Sequence, residues 1–62
     1  MTQTQLEFLI KWALSNTRLA ENKEQELYEE GNEIGAARFH GEAVAFDRIR
    51  IILQSYLKEG KK

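Results

Sequence analysis

The sequence has no cysteine and no proline, and only one histidine, one tryptophan and four glycines among its 62 residues. Without cysteine there are no disulfides and no thiolate metal sites, and one histidine, His40, cannot build a histidine-rich metal site within a single chain. No run approaches the ~20 apolar residues needed to span a membrane. The start of the chain, Met1-Thr2-Gln3-Thr4-Gln5, lacks the basic segment of a secretory signal. A cytoplasmic location is the expectation. The formal charge of −1 and a pI near 5.8 provide no general attraction to a phosphate backbone. Gly31, Gly35 and Gly41 sit in a helical context with no strand before them, so no phosphate-binding glycine loop is present. With no activated nucleophile in view, the expectation is a protein that is not an enzyme and has no catalytic residues and no cofactor.

What is present is a helix-forming composition: Leu, Ile, Ala, Glu, Lys, Gln and Arg dominate, and there is little to break a helix. Thr4 followed three residues later by Glu7, ahead of Leu6, Leu9, Ile10 and Ala13, is a capping-box pattern and predicts a helix start near Thr4. Gly31-Asn32 is the next strong punctuation, since glycine suits the left-handed residue after a helix and asparagine the cap of the next. Gly60, with Lys58 before it and Lys61 and Lys62 after it, closes a second helix with the charge its dipole favours. The reading is one all-α domain over residues 1–62: a helix over about 4–30, a turn at 31–32 and a helix over about 33–59. Two helices of equal length, each ~40 Å at ~1.5 Å per residue, pack as an antiparallel hairpin. The weak helix formers Ser15-Asn16-Thr17 leave a three-helix bundle as the alternative, and a Gly31 inside one continuous rod is a third arrangement.

Leu6, Ala13, Ala20, Leu27 and Ile34 recur every seven residues, with Leu9 and Ile10 beside them, which is the seam of helix-on-helix packing. Phe8, Trp12 and Leu19 fall to one side of it and Leu14 to the other. The apolar arc over residues 6–20 is therefore about 240° wide, more than one partner helix covers. On the second helix Phe39, Phe46 and Leu53 define the predicted core face. Ala43 and Leu57 flank it on one side, and Ala45, Ile49, Ile52 and Tyr56 on the other. Ala37, Val44 and Ile51 make a separate strip.

Charge is divided along the chain. Residues 21–42 carry seven acids and two bases, net −5, and the remainder carries three acids and seven bases, net +4. An exposed ion pair contributes ~0–1 kcal/mol, whereas burying a large apolar side chain contributes ~1.5–3 kcal/mol. Burial of the surplus apolar surface therefore decides the expected assembly: a homodimer or higher oligomer, a helical bundle of hairpins, with acidic turns projecting. Its expected oligomer or partner interface is Phe8, Trp12, Leu14, Leu19, Val44 and Ile51, and Glu29, Glu30, Glu33 and Glu42 are the expected recognition groups for another protein.

A di-metal site of the Glu-x-x-His kind fails because position 37, three before His40, is alanine; no metal is expected. His40 reads as a solvated or lightly paired side chain, and Glu42 as an exposed acid or a partner of Arg38. Lys11, Arg18, Arg48, Arg50 and Lys58 are candidates for phosphate contact, but Arg48 and Arg50 point about 200° apart around a helix. The sequence thus reads as a small regulatory or inhibitory interaction module acting as a homo-oligomer, with a small dimeric nucleic-acid-binding protein as the alternative.

Overall fold

In a computed structural model, which describes residues 2–59, the chain forms two α-helices, α1 (Gln3–Glu29) and α2 (Glu33–Glu59). They pack antiparallel as a hairpin with extents of 48 × 14 × 13 Å. The expected closure at Gly60, Lys61 and Lys62 lies outside the described residues.

The cap of α1 is Thr2 rather than Thr4. Thr2 Oγ1 accepts the Gln5 N–H at 3.1 Å, and Gln5 Oε1 accepts the Thr2 N–H at 2.9 Å, a complete capping box. The sequence contains two overlapping pairs of this type, Thr2 with Gln5 and Thr4 with Glu7. The earlier one wins because it adds further backbone hydrogen bonds, including Leu6 N–H to Thr2 O at 3.0 Å.

Gly31-Asn32 acts as expected, and Glu30 joins the turn instead of extending the helix. Gly31 has φ +82°, the left-handed conformation that lets its N–H reach Tyr28 O (3.1 Å) while Asn32 N–H reaches Leu27 O (2.8 Å). That double closure is a Schellman motif. Asn32 also opens α2: its Oδ1 accepts from Gly35 N–H at 2.9 Å and its carbonyl from Ala36 N–H at 3.0 Å. Gly35 matters to this cap, because a Cβ there would lie 2.8 Å from Asn32 Nδ2.

The chain is not broken at Ser15-Asn16-Thr17, so the three-helix alternative fails. Asn16 Nδ2 donates to Trp12 O (2.8 Å) and Thr17 Oγ1 to Ala13 O (2.9 Å), binding both weak helix formers to the preceding turn.

The core is made of small residues. Ala13, Thr17, Ala20, Ala36 and Ala43 are buried, and among the described residues no large side chain is fully buried. The seven-residue seam of α1 runs as expected through Leu6, Ala13, Ala20 and Leu27, with Ile10, Thr17 and Glu24 beside it; these residues are buried or half-buried. On α2 the seam is Ala36, Ala43, Arg50 and Leu57 with Phe39, Phe46 and Leu53. Ile34, expected to continue the α1 seam, is 88% exposed because the turn resets the phase of the helix. Ala45, Ile49, Ile52 and Tyr56, expected in the core face, are exposed as well. Alanine lets the axes approach closely, and a close, narrow contact covers only the strip that faces it.

Two outcomes follow for stability. Gly31→Ala meets no steric obstacle and costs about 1 kcal/mol through the left-handed φ alone, measured by urea unfolding. Ala36→Leu forces the helices apart and costs about 1–3 kcal/mol; an unchanged midpoint would show that the contact is not close-packed.

Candidate functional site

The hairpin has two broad faces, and each is marked by contacts between the helices. On one, Trp12 meets Phe46 edge-on with ring centroids 5.4 Å apart. The same groove continues towards the turn past Asn16, Leu19, Lys23, Phe39 and Glu42. On the other, His40 Nδ1 lies 3.3 Å from Glu24 Oε2, and the groove is lined by Glu21, Ala43, Val44, Asp47, Arg48 and Ile51.

The Trp12 face is the apolar one. Phe8 (69% exposed), Trp12 (45%) and Leu19 (65%) come from α1, and the half-buried rings of Phe39 and Phe46 come from α2. Ile49 and Tyr56 follow Phe46 at helical spacing on the same flank, both exposed. A shallow pocket formed by Thr4, Gln5, Phe8 and Leu9 continues the surface to the open end of the hairpin. Aliphatic and aromatic groups thus predominate from Tyr56 and Phe8 to Leu19 and Phe39, with Asn16 and Glu42 among them and Lys23 at the turn side. A largely apolar strip of this kind on a small chain is the candidate interaction surface.

The six expected interface residues therefore divide. Phe8, Trp12 and Leu19 share the Trp12 face. Val44 and Ile51 line the His40 groove, and Leu14 is half-buried towards that side, about 140° around α1 from Leu19. Ile49 and Tyr56 belong with Trp12, although the sequence reading assigned them to the core. The sign that would have found them is the heptad through Ala36, Ala43, Arg50 and Leu57: centring the α2 seam there moves Ile49 and Tyr56 outward.

The polar candidates are also placed. Glu42 is exposed within the Trp12 face, and no Arg38 contact holds it. Glu24, 23% exposed at its side chain, is held by His40. Glu29, Glu30 and Glu33 are exposed around the turn. Arg50 lies in the seam, where it donates to Asp47 Oδ1 (2.7 and 3.0 Å) and to Gln54 Oε1 (2.8 Å). Arg48 faces the His40 groove, while Lys11 and Arg18 project from the outer side of α1, so these bases do not form one surface. No group of three or more metal-ligating side chains is assembled among the described residues. No helix there is long and apolar enough to cross a membrane. Against protein families, curated proteins and solved structures, the chain has no match.

The turn carries charge of the unfavourable sign. Glu26, Glu29 and Glu30 crowd the C-terminal end of α1, whose last turn has no base, although the helix dipole favours cations there. Glu30→Lys is expected to raise stability by about 0.3–1 kcal/mol at low salt, with the gain shrinking as salt increases. Thermal unfolding at two ionic strengths measures this, and a loss of stability would show that Glu30 has a structural partner.

Proposed function

We propose that this chain is a small non-enzymatic protein–protein interaction module that works as a homo-oligomer, burying the Trp12 face between copies and presenting its acidic turns to another protein in a regulatory role. One observation carries the reading. Among the described residues no large side chain is fully buried, yet Phe8, Trp12, Leu19, Ile49 and Tyr56 are exposed at helical positions on one face. A two-helix hairpin without disulfides buries little apolar surface, and association adds to it. A cytoplasmic setting suits a cysteine-free chain of this kind.

The acids around Gly31 support the second half of the proposal. Glu29 and Glu30 lower the stability of α1 where bases would raise it, whereas Glu33 suits the start of α2, and a local rule broken without structural gain is a mark of functional use. Their partner is then a protein with a basic surface, and its binding weakens as salt rises.

Ile49 and Ile51 provide a matched test of the face. Both are exposed, at 40% and 52%, and they lie about 200° apart around α2. Ile49→Glu is expected to reduce the mass in light scattering to that of one chain and lower helicity at micromolar concentration, while Ile51→Glu leaves the assembly intact. Equal effects would sink the assignment of the Trp12 face, and a wild-type chain that is monomeric and well folded would sink self-association itself.

A further inference from the structure

We infer that the occupant of the Trp12 face is a second copy of the chain lying antiparallel to the first, giving a four-helix dimer in which the two acidic turns point to opposite ends. The inference rests on the self-association proposed above and adds its geometry. The apolar stretch is off-centre in the hairpin: it runs from the open end to Leu19 and Phe39, with Glu42 within it, and gives way to Lys23 on the turn side. Two closed two-fold arrangements superpose this stretch on itself. In the parallel one the axis runs along the hairpin and the turns lie side by side. In the antiparallel one the axis crosses the face beside Trp12 and Phe46 and the turns point away from each other.

Both arrangements cover the same apolar residues, so burial does not choose between them, and charge does. Residues 21–42 are net −5. Parallel packing would put two such halves ~10 Å apart, the spacing of packed helices, which is comparable to the ~8 Å Debye length at physiological salt. Antiparallel packing about Trp12 places the turns about 55 Å apart at ~1.5 Å per residue, beyond any effective repulsion. It also brings the open end of each copy, in the half that is net +4, against the start of the acidic half of the other. An ordinary interface of ~800 Å² per partner corresponds to about one-sixth of the hairpin's 4941 Å² surface. The acidic turns then extend past the four-helix core, free on all sides.

The absence of cysteine makes the test clean. Glu30→Cys gives one site per chain, at the turn, for a nitroxide spin label. Mass by light scattering and the label-to-label distance by pulsed electron resonance are measured on the same sample. The expected result is a two-chain mass with a distance near 55 Å. A two-chain mass with the labels within ~25 Å would overturn the antiparallel arrangement while leaving self-association standing. A one-chain mass would overturn both and leave the face to a different protein, and a mass above two chains would overturn the closed dimer.

Discussion

The contact between the two helix seams, whose buried positions are mostly alanines, is the constraint on which the rest of the molecule depends. Ala13 and Ala36 are completely buried and Ala20 and Ala43 nearly so. Small side chains let the helix axes approach, but each buried alanine contributes little apolar area compared with a leucine or phenylalanine. The hairpin is therefore narrow and well defined in register, yet poor in core. Its large side chains, Phe39 and Phe46 among them, sit at the edges of the seam and are covered on one flank only. The broad apolar face follows directly from the alanine seam: what the contact excludes from the inside appears on the outside.

The turn holds that contact in register with few residues. Gly31 supplies the left-handed conformation of the turn, and Asn32 serves both helices, closing α1 through its backbone N–H and opening α2 through its side-chain oxygen. With so short a joint the helices cannot slide, and the equal lengths of α1 and α2 leave no unpaired overhang among the described residues. Interactions further along the seam are polar where they can be satisfied. Thr17 returns its hydroxyl to Ala13 O, Arg50 is held by Asp47 and Gln54, and Glu24 by His40. No buried side-chain polar atom is left without a partner among the described residues.

The two ends of the hairpin differ in a way the fold does not require. Acids collect where the dipole of α1 disfavours them, and bases predominate at the open end. Apolar area decides that copies associate through the Trp12 face in the proposed assembly. Charge then decides which way round they lie. The division is physical: apolar burial is short-ranged and indifferent to direction, whereas the −5 turn half breaks the symmetry between the two alignments.

The sequence by itself determined the all-α class, the two helices and their joint, because those depend on local causes: helix propensity, the absence of proline, a seven-residue seam on α1 and the left-handed preference of Gly31. It also marked Phe8, Trp12 and Leu19 as surplus, since three large groups lie outside a seam already filled by Leu6, Ala13, Ala20 and Leu27. Caps were less legible, as Thr2 and Thr4 begin equivalent patterns and only the total of backbone hydrogen bonds distinguishes them. The tertiary structure alone decided which strip of α2 faces α1. That helix is apolar around most of its circumference, so its periodicity admits more than one seam, and packing against the α1 seam selects the strip through Ala36 and Ala43. That choice turned Ile49 and Tyr56 outward beside Trp12 and sent Val44 and Ile51 to the opposite face, because the rotation of a helix about its axis is determined by what it packs against.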